Sequence, residues 1–396
     1  MVQSRKCLVC GTTECTEIIS IVNAPKTHVI SSETKLTNDS FGSIELVQCN
    51  RCWHIFNKFF SDREIDSSQD LFLTNTPINE SMLARHEQTV DFLTANANKK
   101  LRILDVGAGS GALAAAFAKR GHQVTVVEPS AMIDVRALND FGVNVVKDFW
   151  PAISLRDQKF DLILCVQVLE HTSEPCSFLS TLSDSLDKNG EIYLEIPSGD
   201  WVVENASIAD IHYPHLSYFV TKVIYGIFEK VSLVPFATRN LLNGRDLGFV
   251  LRAIESVSSA KTLGSNADAL ASLLSKNIER AKSRIIRLSS KGKFAIYGAN
   301  AGSQALFGFF PHIKPEFILD DTPSYVGAYG YNYESRFQIL KPTVENLGRV
   351  QSVVIAAYNH DKVIAERLRA LGFMGEIFSL RPESDLSGTV KSLFAS

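Results

Sequence analysis

The 396-residue sequence lacks long hydrophobic runs. No stretch approaches the roughly eighteen apolar residues of a membrane span. Residues 1–10, MVQSRKCLVC, lack the apolar core of a signal peptide. A dominant charge is missing too: 40 Lys and Arg stand against 43 Asp and Glu, for a net charge of -3. That balance gives no general attraction to nucleic acid or to an anionic membrane. Nor is there the even set of cysteines of a secreted scaffold. Seven cysteines in a large chain without a signal point to a reducing compartment, and the cytoplasm is expected. What is present is ordinary globular content, 45% hydrophobic and 21% charged, at a length that calls for two or three domains.

The most informative stretch is Leu101 to Pro129, LRILDVGAGSGALAAAFAKRGHQVTVVEP. The short aliphatic run Ile103-Leu104-Asp105-Val106 ends at glycine, as a buried parallel strand should. Gly107, Gly109 and Gly111 follow, with Ala108 between the first two, then an alanine-rich helix to about Arg120. A second strand, Gln123 to Val127, ends at Glu128 and Pro129. This is a β-α-β unit with a glycine turn at its first crossover, where nucleotide cofactors bind. A dinucleotide fingerprint spaces its glycines G-x-G-x-x-G; here the spacing is G-x-G-x-G and Asp105 precedes it. An acidic side chain repels phosphate and attracts the amino group of a methionine moiety. Glu128 is placed to accept hydrogen bonds from ribose hydroxyls. Asp105-Val-Gly-Ala-Gly-Ser-Gly111 resembles the first motif of class I methyltransferases that use S-adenosylmethionine (SAM).

Ahead of that unit, Cys7-x-x-Cys10 and Cys49-x-x-Cys52 form two thiolate pairs. Four thiolates satisfy a tetrahedral structural Zn²⁺, whereas a catalytic zinc keeps an open position. The alternation in Ile18–Val22 and Ser43–Val47 suggests short strands between the pairs, and the metal would supply much of so small a module's folding free energy. Residues 1–60 carry six Lys and Arg against five Asp and Glu, which leaves no cationic stripe for nucleic acid. Asp62 to Glu80, polar around Leu71-Phe-Leu73, reads as a loop. From Ser81, Leu83, Val90 and Leu93 recur at helical spacing with His86 on the same face.

Beyond Glu128 the α/β alternation continues. Val143–Val146 is a strand, with Asp148 and Phe149 at its end to take an adenine amino group and ring. Phe160–Val166 is the next strand and runs into Gln167 and His171 at the crevice edge. A helix over Phe178–Leu186 and a strand over Glu191–Pro197 follow. Then comes Asp210-Ile-His-Tyr-Pro-His215-Leu-Ser-Tyr-Phe219, with His212, Tyr213 and His215 as candidate catalytic groups. Pro214 disfavours helix and is expected to hold this loop extended. A histidine suits proton removal near neutral pH. Ser265–Leu288 reads as a long amphipathic helix. A second α/β region starts at Lys293, with another glycine turn at Gly298–Gly302 whose N–H groups could face a phosphate.

Two CxxC knuckles, a DVGAGSG core and an I-x-x-x-H-x-x-Y-F segment, in that order, resemble the sugar C-methyltransferases that act on nucleotide-linked deoxysugars. The resemblance implies a zinc-binding domain over 1–60, a Rossmann-like α/β SAM-methyltransferase core over 61–255, a connecting helix over 256–290 and a C-terminal Rossmann-like domain over 291–396 that helps hold the acceptor. It carries the zinc ligands to Cys7, Cys10, Cys49 and Cys52, the general base to His215 and a second active-site histidine to His171. The chain departs from the family at His212-Tyr-Pro-His215, where the family has Tyr-His-Glu-His and hence a carboxylate. It departs again at Asn243–Gly248 and at Pro323-Ser-Tyr-Val-Gly327, which lacks the family's lysine. The implied activity is methyl transfer from SAM to a small, nucleotide-linked sugar by a soluble monomer or dimer. Carbon methylation next to a keto group is favoured. O-methylation and a SAM-binding scaffold without catalysis are the alternatives.

Overall fold

The computed structural model describes residues 6–59, 80–130, 133–254, 267–382 and 391–393. The expected loop around Leu71-Phe-Leu73 lies outside these residues. Three sheets hold the described strands. The first is antiparallel and starts with β1 (Cys15–Pro25), β2 (Phe41–Cys49) and β3 (Ile55–Asn57). Both long strands exceed the stretches that alternation marked out. The β1–β2 register shifts between Glu17 and Ile19 and again between Ile21 and Ala24, and such interruptions erase the period of two.

Helix α1 (Glu80–Thr94) leads into the second sheet. Val90 is buried on it, but Leu83 is 48% exposed, so its apolar stripe is narrower than the spacing suggested. The sheet contains β4 (Arg102–Val106), β5 (Gln123–Val127), β6 (Asn144–Val146), β7 (Phe160–Val166) and β8 (Leu186–Pro197), all parallel, in the order β6-β5-β4-β7-β8. Leu104, Ile163, Leu164 and Cys165 are fully buried, as aliphatic strands covered on both faces must be. The chain leaves β4 first toward β5 and β6, then crosses back to β7 and β8. The reversal between β4 and β7 opens a crevice at the strands' carboxyl ends. Helix α2 (Ala112–Lys119) fills the first crossover. The helix after β7 spans Pro175–Asp184 rather than Phe178–Leu186: Pro175 occupies its first turn, and Leu186 already belongs to β8.

Strand β9 (Ser217–Tyr218) then returns to the first sheet, setting Tyr218 opposite Ile55 and Ser217 opposite Phe56. An antiparallel hairpin of β10 (Leu233–Leu241) and β11 (Asp246–Ala253) completes the second sheet, with β11 against β8.

Helix α3 (Ala267–Lys291) runs almost a turn past Leu288 into the third sheet. Its strands are β12 (Phe294–Tyr297), β13 (Ile318–Leu319), β14 (Tyr329–Tyr331), β15 (Arg336–Leu340), β16 (Ser352–Ile355), β17 (Glu376–Ser379) and β18 (Lys391–Ser392). Their order β15-β13-β12-β16-β17-β18 is doubly wound, with β14 antiparallel at the edge. The architecture is thus mixed α/β with a Rossmann-like core. Helix α4 (Ala301–Phe309) docks this region on the first sheet, where Gln304 Nε2 donates to the Pro25 carbonyl at 2.8 Å. Tyr331 Oη donates to the Ser40 carbonyl at 3.1 Å. Among the described residues, no helix is long and apolar enough to cross a membrane.

Candidate functional site

The glycine turn sits between β4 and α2. Gly107 and Gly111 have φ of 69° and 76°, the left-handed region that favours glycine. A Cβ on Gly107 would lie 2.5 Å from Val168 Cγ2, so the turn also abuts the segment after β7. Glu128 is buried, and both its oxygens brace backbone: Oε2 accepts from Gly109 N and Oε1 from Ser130 N, each at 2.8 Å. Asp105 is buried beside it, with Oδ2 lacking a partner. Burial, and then the Glu128 charge, push its carboxyl up to about 7. A carboxylate held this way is a natural acceptor for a cationic amino group. Gln167, also at positive φ (57°), has a buried Nε2 without a partner, while its N–H donates to Glu195 O at 2.8 Å. Pro129 is half-buried, and Asp148 and Phe149 are exposed past the end of β6. There Asp148 Oδ1 takes the Phe149 N–H at 2.8 Å.

The histidines come together on the neighbouring loops. The loop around Pro214 is turned rather than extended, because His215 N donates to the His212 carbonyl at 3.2 Å. The turn folds the two imidazoles onto each other, with ring centroids 3.9 Å apart. His171 joins them at 5.1 Å from His215, and its Nδ1 lies 2.8 Å from the Pro214 carbonyl. Burial lowers all three below the ordinary histidine value, His212 to about 3. At neutral pH they are therefore uncharged. Tyr213 lies elsewhere: a Cβ on Gly42 of β2 would fall 2.0 Å from Tyr213 Cε2, and Lys26 Nζ stands 5.6 Å from its ring. Its ring packs on the first sheet.

Three features of this region escaped sequence reasoning. Tyr218 brings its ring to 5.9 Å from His215 with its buried hydroxyl unpartnered. Glu170, adjacent to His171, is buried at 1% exposure with neither oxygen hydrogen-bonded. Asp210, at the head of the histidine loop, accepts from Ser207 Oγ (2.5 Å), Tyr358 Oη (2.6 Å) and Arg245 Nη2 (2.6 Å). Burial alone would raise the Asp210 carboxyl, but Arg245 and the two hydroxyls outweigh it and hold it low. The advance signal was the position of Asp210 and Tyr218 in the same segment as His215.

The loop is also tied to the cysteine-bearing sheet. Besides the β3–β9 pairing, Asn57 N donates to the Leu216 carbonyl at 2.8 Å, and His54 Nε2 lies 3.1 Å from Ser217 Oγ. At the end of β2, the β2–β3 turn and the turn before β1, the four sulfurs of Cys7, Cys10, Cys49 and Cys52 lie within 4.8 Å of one another. Cys7 and Cys52 are 3.4 Å apart, and Cys10 and Cys49 are 3.5 Å apart. A zinc tetrahedron with bonds of about 2.3 Å needs edges of about 3.8 Å, so the set fits one with little movement. Hydrogen bonding from Cys52 brings the Cys7 thiol down to about 5, toward the thiolate a metal requires.

In the third sheet, Asp320 repeats the brace of Glu128. Its Oδ2 accepts from Ala299 N at 2.7 Å and its Oδ1 from Thr322 N at 2.9 Å. Asn300 Oδ1 takes the Ser303 N–H at 3.2 Å. Several amides of this second turn are thus already engaged by the protein's own acceptors.

Residues 78–234 match the family model described as a methyltransferase domain. The second sheet is accordingly the frame of the matched methyltransferase domain. A 109-residue stretch is 32% identical to the ubiquinone biosynthesis O-methyltransferase of Histophilus somni, covering 25% of this chain and 46% of that protein. The Pasteurella multocida protein of the same description is 32% identical over 114 residues, covering 25% and 47%. The chain thus spans less than half the length of these curated relatives. Among solved structures, the Burkholderia thailandensis 1,6-didemethyltoxoflavin-N1-methyltransferase, with S-adenosylhomocysteine bound, overlaps 52% of this chain and 99% of its own at 16% identity, with a TM-score of 0.40.

Proposed function

We propose that the chain transfers a methyl group from SAM to a carbon next to a keto group on a small, nucleotide-linked sugar. The observation that carries this reading is the gathering of His171, His212 and His215, with Val168, three positions before His171, packed against Gly107 of the glycine turn. The sulfonium donor is already reactive, so the protein mainly positions the acceptor, excludes water and removes one proton. In this reading Asp105 takes the methionyl amino group. The turn Gly107-Ala108-Gly109, with Gly111, approaches the donor closely, and Glu128 and Pro129 border the ribose. Asp148 and Phe149 receive the adenine, and Gln167 completes the methionyl side. His215 is the base and the Tyr218 hydroxyl a donor to the developing oxyanion. Cys7, Cys10, Cys49 and Cys52 hold a structural Zn²⁺ that stiffens the sheet to which the loop is paired.

The second reading is O-methylation of a small hydroxyl compound, favoured by the names of the curated relatives. In it the same imidazoles take a hydroxyl proton. The deciding assay follows S-adenosylhomocysteine release with nucleotide-linked keto-deoxysugars and with phenols. A parallel exchange experiment in D₂O, with S-adenosylhomocysteine bound, reports proton removal at the carbon beside the keto group. Turnover and exchange on the sugars, both lost in His215→Ala with SAM affinity kept within a few fold, are expected. Turnover on phenols alone would replace the first reading with the second.

A further inference from the structure

The histidine cluster contains a group that the proposed reaction does not use. Glu170 is 1% exposed, and neither carboxylate oxygen has a hydrogen-bond partner. A buried acid left this way is costly unless something cationic or protic meets it. A carboxylate oxygen of Glu170 and ring nitrogens of His171 and His215 lie within 4.8 Å of one another. His171 Nδ1 faces the Pro214 carbonyl at 2.8 Å and donates its hydrogen there, which makes Nε2 the basic nitrogen. That Nε2 lies 3.9 Å from Glu170 Oε1. An imidazole whose one N–H donates to a backbone carbonyl, as His171 does, is oriented to bind a metal through its other nitrogen, the usual second shell of a metal-bound histidine.

We propose that Glu170, His171 and His215 form a site for a divalent first-row transition cation, separate from the four-cysteine set. Two imidazoles and one carboxylate suit Zn²⁺, Mn²⁺, Fe²⁺ or Co²⁺, and three protein ligands leave coordination positions open. Bonds of about 2 Å require the three donors to draw slightly together. The cation neutralises the buried carboxylate and presents its open positions to an acceptor oxygen in the crevice. This inference shares the crevice with the proposed reaction but not its chemistry: with a cation bound, His215 is a ligand rather than the base.

The test needs no acceptor. The full chain is saturated with Co²⁺, desalted, and its metal counted by mass spectrometry and read by absorption. Two cobalt ions per chain are expected, one with the intense thiolate charge-transfer band of a cysteine site and one with only weak ligand-field bands. Glu170→Gln and His215→Ala should each lose the second ion and keep the first. Loss of one ligand should weaken Co²⁺ binding there beyond the roughly 10–100-fold typical of an outer-shell partner. His215 is half-buried, so its variant serves if the Glu170 variant does not fold. A single cobalt per chain in the wild type, or two retained in a folded variant, overturns the site. Either result leaves the methyl-transfer reading standing, because sugar turnover and proton exchange are measured separately.

Discussion

At the scale of single residues, the donor side of the crevice depends on carboxylates working against backbone. Glu128 holds the N–H groups of Gly109 and Ser130, so it shapes the glycine turn from within while standing next to the expected ribose. Its replacement by Ala removes two charge-assisted hydrogen bonds, each worth about 1.5–3 kcal/mol. Calorimetry with S-adenosylhomocysteine should show affinity at least about tenfold weaker. Unchanged affinity would remove Glu128 from the donor site. The positions of Glu128 and Asp105 by the glycine turn, and the clustering of the four cysteines, were readable because each signal is local: a glycine spacing, an acid at a strand end, a CxxC pair. Glu170 was not readable. It sits 45 positions before His215, and only the folding of two loops onto one edge brings them together. Tyr213 is a different case. Its place between two candidate histidines suggested chemistry, but the backbone turn sends its ring to Gly42.

At the scale of elements, β9 is decisive. Two residues of the histidine loop become a strand of a sheet that otherwise belongs to the first 60 residues. Sequence periodicity cannot detect a two-residue strand, nor can it show that its partner lies more than 150 positions away. The pairing buries His54 between Phe56 and Phe219, with ring centroids 5.6 and 5.3 Å away. Burial brings His54 and His212 down to about 3 and His28 to about 4. These rings are neutral when folded but take up protons below about 6.5 when unfolded. Their contribution to stability is therefore complete above 6.5 and is lost as pH falls toward 3–4, at about 1.4 kcal/mol per pH unit for each ring. Asp105 and Glu170, raised to about 7 and about 8, act in the opposite sense. Their penalty is complete above those values and is relieved on acidification down to the unfolded carboxyl range near 4. With His171 and His215 also lowered and Glu195 and Asp246 also raised, the rings outnumber the carboxyls and leave a net loss between pH 6.5 and 4, to which Asp161 and Asp210, both held low, add below 4. Urea unfolding at pH 7, 6, 5 and 4 should record this decline. A flat or rising profile would show that the rings become hydrated.

At the scale of the whole molecule, the four-cysteine set, the histidine loop and the C-terminal region form one mechanical unit. Stripping the proposed zinc with a strong chelator should lower the melting temperature and speed hydrogen exchange in β1–β3. It should equally speed exchange at Leu216–Tyr218, whereas β16 and β17 should keep their protection. Exchange confined to β1–β3 would mean that the sheet does not support the loop. The doubly wound order of the two large sheets was legible in outline, since alternating apolar runs and glycine turns announce it. The docking was not, because contacts such as Tyr358 with Asp210 and Gln304 with Pro25 join residues 148 and 279 positions apart. The borrowed strand β9 also limits how the chain could be recombined. Exchanging the first 60 residues with those of a relative would pair one protein's β3 with another's β9. Grafting only the histidine loop would make the same mismatch from the other side. New acceptor specificity would have to be imported as a matched pair, cysteine sheet and histidine loop together, so the heritable unit of this crevice is discontinuous in sequence.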